Sequence, residues 1–179
     1  MGRIVPGVCS LKQHREALAE EPGRYRPERC PRCGKAGLWA HGAYPRKADR
    51  EGVAAASHNP VAIPRFFCPC CRGTCSRLPE CVAPRRWYGW ARQQGVLVGL
   101  LAGVSIRSAS RRAATCRRTV GRWWHWLQGR ADLHGFHLRS LEPSLGRGAQ
   151  GFGFWLAALG RRPLSAWMAA LDGLGVVVP

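Results

Sequence analysis

At 179 residues the chain has room for one ordinary domain or two small ones. Its 28 Lys and Arg against 10 Asp and Glu leave a net charge of +18, and only three of the basic residues are Lys. A field of that sign draws in polyanions, and the forked guanidinium of Arg suits phosphate and the edge of guanine. The longest apolar run, Val96 to Ile106, has eleven residues, short of the roughly 20 a membrane helix needs, so no membrane association is expected.

In chain order, residues 1–27 read as a mixed, polar N-terminal segment with a short helix around Leu11 to Glu20. No secretory or transit signal is visible there, so a reducing cytoplasm is the expected compartment. Residues 28–80 alternate short strands and turns, with strands predicted over Leu38–Lys47 and Val61–Cys68. Pro64 would make the second an edge or bulged strand. The intervening stretch, Ala48 to Pro60, is too long for a tight turn.

From Trp87 the apolar period changes from two to 3.6. Trp87, Trp90, Leu97, Leu101 and Val104 share one face of a first helix. Ser105 can cap a second helix, with Ile106, Ala109 and Ala113 inward, and a break at Ala114–Cys116 leads to a third. That third helix is predicted over Arg117–Gln128 with Val120, Trp124 and Leu127 on its apolar face. Gly- and Pro-rich sequence is expected to follow, and residues 131–179 then read as a linker and a short helical tail. Two apolar helical pieces lie in that tail, the second with Leu164, Trp167, Met168 and Leu171 in register.

Nine cysteines in a reducing compartment point to metal before disulfides. "CPRCGK" at Cys30 and "CPCCRG" at Cys68 superimpose, matching Cys30 with Cys68 and Cys33 with Cys71. Two thiolates three residues apart can aim at one ion, and two such turns close a tetrahedral four-sulfur shell. Cys30, Cys33, Cys68 and Cys71 are thus the predicted ligands of one structural Zn2+ ion. Cys70 falls where the first copy has Arg32, an outward position, so it is expected not to bind. Cys75 and Cys81 read as small apolar filler, and His41 as a polar strand residue. The closed shell and the lack of any motif around Glu28 and Glu80 argue against a catalytic metal.

Between Cys81 and Ala131 there is no Asp or Glu, while ten Arg fall there. Residues 84–130 have the layout of a helix-turn-helix, with small Ala109 where two helices must approach. Arg117, Arg118, Thr119 and Arg122 would open a recognition helix and meet base edges in a major groove. Arg107, Arg111 and Arg112 on the preceding helix would hold the phosphate backbone. The fold expected is α+β: a small zinc-ribbon β lobe, then a three-helix helix-turn-helix lobe and the tail.

"CPRCGKAGLWAHGAYPRK", "IPRFFCPCCRGTCSRLPECVAPRRWY" and "GVSIRSASRRAATCRRTVGRWW" together resemble the N-terminal region of bacterial insertion-sequence transposases, over about Tyr25 to Gln128. The resemblance implies zinc on the same four cysteines and DNA binding, at an element's ends, by the helix from Arg117. Full transposases of this kind carry three acidic residues that hold two divalent metals. Here only Asp132, Glu142 and Asp172 follow the helices, scattered along the chain. The expectation is a nucleoid-associated protein that binds double-stranded DNA without chemistry of its own. Self-association or a catalytic transposase partner would be in keeping with it. The rival readings are an RNA-binding zinc ribbon and a transposase accessory subunit or fragment.

Overall fold

The computed structural model describes residues 3–47, 60–84, 88–145 and 151–178. Trp87 and residues 48–59 of the expected long loop lie outside the described residues. The fold is α+β, and the chain divides into two compact units. One comprises Met1–Gly89 with Asp172–Gly175, the other Trp90–Leu171 with Val176–Pro179.

In the first unit, strand β1 (Ile4–Val5) leads to helix α1 (Leu11–Glu20). Ser10 caps α1 by accepting from Gln13 N at 3.1 Å, while Gln13 Oε1 reaches back to accept from Cys9 N at 2.8 Å. That S-x-x-Q exchange satisfies amides that would otherwise be orphaned at the helix start. A short 3-10 turn, Pro22–Tyr25, follows. Strands β2 (Trp39–Arg46), β3 (Val61–Phe67) and β4 (Thr74–Cys75) then form an antiparallel sheet in the order β2-β3-β4. Strand β4 pairs only with Phe66 and Phe67, so at Pro64 the sheet ends at β3 and the missing N–H is tolerated. The bulge falls on the partner strand, where the register slips between Ala40 and Ala43 and Gly42 takes φ +67.

The N-terminal segment is woven into this unit rather than standing apart from it. Strand β1 pairs in parallel with β5 (Leu78–Pro79). Fully buried His14 on α1 ties two further elements together: Nδ1 lies 2.6 Å from Tyr25 Oη and Nε2 lies 2.9 Å from the Ala62 carbonyl. A carbonyl only accepts, so Nε2 carries the proton and Nδ1 accepts from the phenol. Burial favours this neutral arrangement, lowering the His14 pKa and pushing Tyr25 up to about 12.

The second unit is helical: α2 (Trp90–Leu101), α3 (Ile106–Arg112), α4 (Arg117–Leu141), α5 (Gly151–Arg161) and α6 (Leu164–Gly173). Its core includes Leu97, Val120, Leu127, Leu138, Phe154, Trp155, Leu164, Trp167 and Met168, all at most 1% exposed. Gln94 stitches the α5–α6 junction, donating to Leu159 O at 3.3 Å and accepting from Leu164 N at 2.7 Å. No helix among the described residues is long and apolar enough to cross a membrane.

The third helix does not stop at Gln128. Helix α4 runs unbroken for 25 residues to Leu141, because His134, Gly135 and Leu138 keep its inner face buried beyond Gly129. Its C-cap, Glu142, precedes Pro143, which cannot extend the hydrogen-bond ladder. Trp123 takes the buried position expected of Trp124, which instead packs its ring 5.1 Å from that of Phe152.

His134 is fully buried between the rings of Trp126 and Trp155, at 5.5 and 6.3 Å, and desolvation pushes its pKa down to about 4. An unfolded histidine titrates near 6.5, so between those values the unfolded chain binds a proton that the folded chain excludes. Stability should therefore fall as pH drops from about 6.5 towards 4, by about 2 kcal/mol from this residue. Unfolding midpoints taken across that range should slope less steeply in His134→Phe; parallel slopes in variant and wild type would refute the assignment. His14 acts in the same direction and will leave a residual slope.

Candidate metal centre and basic helix face

Cys30, Cys33, Cys68 and Cys71 come together, their sulfur atoms all within 4.8 Å of one another. Cys30 and Cys71 Sγ are 3.6 Å apart, as are Cys33 and Cys68 Sγ. A tetrahedron with metal–sulfur bonds of about 2.3 Å has edges of about 3.8 Å, so the four donors fit a single ion. Among the described residues no other group of three or more His, Cys, Asp or Glu side chains could do so. Cys30 and Cys68 are buried, Cys71 is half-buried and Cys33 is the most exposed of the four.

The repeat between the two Cys-x-x-Cys turns is carried by the backbone as well as the sequence. Cys30 N donates to Lys35 O at 2.8 Å, and Cys68 N donates to Gly73 O at 2.9 Å, the same offset in each. The residue four places after the first cysteine is left-handed in both turns: Gly34 at φ +72 and Arg72 at φ +53. Each second cysteine feels the amide two residues on, Lys35 N–H for Cys33 and Gly73 N–H for Cys71. The N–H groups of Arg32 and Cys33 pull the Cys30 thiol down to about 6, so one donor is poised as thiolate. Cys33 and Cys71 are held the other way. The Lys35 and Gly73 amides favour ionisation of Cys33 and Cys71, yet desolvation and neighbouring sulfurs raise both.

The other cysteines stay outside the shell. Cys70 is exposed, as is its counterpart Arg32. The Arg32 side chain lies across the second turn, where a β-carbon on Gly73 would stand 2.6 Å from Arg32 Nη1. Cys75, on β4, packs against the cluster of Val5, Tyr25, Leu38 and Phe66, and burial raises its pKa. Cys81 packs beside Val61, Ile63 and Val82, and burial pushes it up to about 12. His41 is exposed on β2 against Phe67.

The basic residues singled out from the sequence sit on α3 and α4. Ser105 caps α3, accepting from Ser108 N at 3.3 Å. Arg107, Arg111 and Arg112 are exposed along α3, and Arg117, Arg118 and Arg122 are exposed on the opening turns of α4. Val120 and Trp123 anchor the opposite side of those turns in the core. Thr119 is half-buried and accepts from Arg122 Nη2 at 3.2 Å. The connection between the helices is tight: Ala114 takes φ +45, Ser110 Oγ donates to Thr115 O at 2.6 Å, and Thr115 N to Ser110 O at 3.0 Å. Cys116 stands at the N-cap position of α4 without a side-chain capping bond, and the nearby Thr119 N–H lowers its pKa.

The three late acidic residues have separate surroundings. Glu142 pairs with Arg162 at 2.9 Å, Asp132 is exposed on α4, and Asp172 Oδ2 accepts from Ile4 N at 2.7 Å. Sequence reasoning missed Trp39, which β2 presents 63% exposed beside Phe67. The available signal was a tryptophan within a predicted strand, without its exposure.

The molecule is thus an α+β protein pairing a four-cysteine centre with an Arg-studded helical unit. It belongs to the family described as a domain of unknown function, DUF6431, whose match spans residues 30–123, a little over half the chain. That span opens on the first clustered cysteine and closes two turns into α4, taking in every cysteine of the centre and the six exposed arginines of α3 and α4. No curated protein and no solved structure matches the chain.

Purified protein should carry one metal ion per chain, lost with Cys68→Ser or Cys71→Ser and retained with Cys70→Ser or Cys75→Ser. Elemental analysis reads this directly, and metal retained without Cys68 would dismantle the centre. The left-handed positions give a paired test. Arg72→Gly should raise the thermal stability of the metal-loaded protein by about 0.5–1 kcal/mol, and Gly34→Ala should lower it by about 1 kcal/mol. Equal responses would show the two turns not to be equivalent.

Proposed function

We propose that this chain is a double-stranded DNA-binding protein in which one structural zinc ion organises the first unit and α4 carries the sequence preference. Four thiolates leave no open coordination position, which suits a structural zinc site and not a catalytic one. The observation that carries the DNA reading is the exposure of Arg117, Arg118 and Arg122 on the opening turns of α4, with Arg107, Arg111 and Arg112 exposed on α3. With its tight connection, this pair reads as a helix-turn-helix. The start of α4 enters the major groove, where its arginines meet guanine O6 and N7, while α3 grips the phosphates. The resemblance of the sequence to transposase N-terminal regions fits this reading, as would residence at the bacterial nucleoid. We assign the chain no chemistry of its own, and an accessory role beside a catalytic partner would use the same surface.

Binding should weaken steeply with salt, at a log–log slope of about −5 if the six arginines each displace a counterion. Arg111→Ala should reduce affinity for all duplexes alike and flatten that slope by about 1. Arg117→Ala or Arg118→Ala should also relax the preference found by selection from random duplexes. Salt-sensitive binding with no preference to relax would reduce α4 to a generic basic face. Stronger competition by structured RNA than by duplex DNA would move the protein to the RNA-binding class.

A further inference from the structure

The first unit carries a surface that neither the metal centre nor the arginines of α3 and α4 account for. Trp39 and His41 project from the same face of edge strand β2, two residues apart, and Phe67 stands directly across from Trp39 in register. The Trp39 and Phe67 rings are 6.4 Å apart and the His41 and Phe67 rings 5.7 Å apart, a continuous aromatic ridge. Trp39 is 63% exposed, and Trp39 to Ala43 form an unbroken run of exposed residues. A sheet face built only to cover a core would not leave its largest apolar side chain in water.

The surroundings say what could cover it. No Asp or Glu occurs from Arg29 to Lys47 or from Pro60 to Pro79, while eight Arg and Lys do. Arg32, Lys35, Arg65 and Arg72 are among the exposed ones. Arg65 lies on the ridge's own strand, two residues from Phe67, with its guanidinium 5.3 Å from the Tyr44 ring centre. Bare aromatic rings on strands whose own sequence is basic and free of acids complement a polyanion that also offers flat π faces. Base-paired DNA hides those faces within its stack, so only unpaired bases can use the ridge.

We infer that Trp39, Phe67 and His41 form a stacking platform for unpaired bases of a DNA single strand flanking the duplex bound by α4. The inference deepens the DNA-binding reading and rests on it for the kind of nucleic acid. The two can nevertheless fail separately, because blunt duplex reports on α4 and a single-stranded tail reports on Trp39.

The test is fluorescence anisotropy of the metal-loaded full chain with three probes: a blunt 20-base-pair duplex, that duplex with a 10-nucleotide DNA tail, and the same duplex with an RNA tail. The DNA tail should tighten binding by roughly 10-fold, the size of one to two stacked bases. Trp39→Ala should erase that gain and leave blunt-duplex affinity unchanged, and Trp39→Phe should keep most of it. Metal content and thermal midpoint, unchanged in an exposed-residue variant, show that the fold survives, and His41→Ala supplies an independent reduction of the gain. Equal affinity for blunt and tailed probes would overturn the platform. So would a Trp39→Ala loss shared equally by both, a larger gain from the RNA tail than the DNA tail, or self-association that disappears with Trp39. If blunt duplex binds weakly and without regard to Arg117, the α4 reading fails, while a tail gain that depends on Trp39 still upholds the platform.

Discussion

Four sulfur atoms drawn within 4.8 Å of one another are the constraint on which the first unit depends. As thiolates they would repel, and as thiols they would leave weak donors crowded at its surface. One metal cation would resolve both, turning four costly charges into four bonds. It would also join residues separated by a 34-residue stretch and close the strand pairing of β2 with β3 at one end. The apolar packing beneath is modest: Cys30 and Cys68 themselves belong to the cluster with Val5, Val8, Tyr25, Leu38 and Phe66. Ligand and core residue are here the same side chain, and loss of the ion would loosen both at once.

Charge organises the second unit differently. Its buried residues are almost wholly apolar, and the arginines of α3 and α4 are turned outward over them. The segment from Val82 to Arg130, which carries them, contains no Asp or Glu. Like charges on one helix pair repel, and a polyanion would relieve that repulsion. Helix α4 holds its exposed start rigid through its length: Leu127 and Leu138, both fully buried, anchor it well beyond the turns that carry Arg117, Arg118 and Arg122.

Much of this could be read from the chain, because its strongest signals are local. The four ligands follow from a repeated six-residue string, α1 from its polar flanks and period, and β2 and β3 from alternation bounded by turns. The length of α4 was hidden because Gly129 and Gly135 look like breakers. Gly129 lies on the exposed side, and Gly135 packs where a β-carbon would stand 3.6 Å from the Phe154 ring. Here tertiary packing overrides a propensity cost of about 1 kcal/mol per glycine. The choice between Trp123 and Trp124 could not be made from spacing alone, since adjacent positions differ by only 100° around a helix. Strand β1 escaped notice because two residues carry no period, and their partners at Leu78 and Pro79 are remote in sequence. The exposure of Trp39 likewise depends on which strand lies at the sheet edge, a fact of topology.

Backbone strain gives a last link between the two units' candidate sites. Among the described residues, Arg72 and Ala114 are the two non-glycines with positive φ. A β-carbon in that region costs about 1 kcal/mol, and such residues persist only where the surroundings leave no alternative. Arg72 is fixed by the Cys68 N–H to Gly73 O bond, which closes the second cysteine turn around it. Ala114 is fixed by the reciprocal bonds between Ser110 and Thr115, which span the α3–α4 connection. One strained residue therefore sets the aim of two sulfurs, and the other sets the angle at which the arginines of α4 leave the core. Glycine at either place would relieve the strain and also widen the range of turns the chain could adopt. The residues present give up a little stability and narrow each connection to a single geometry, one at the second cysteine turn and one between α3 and α4.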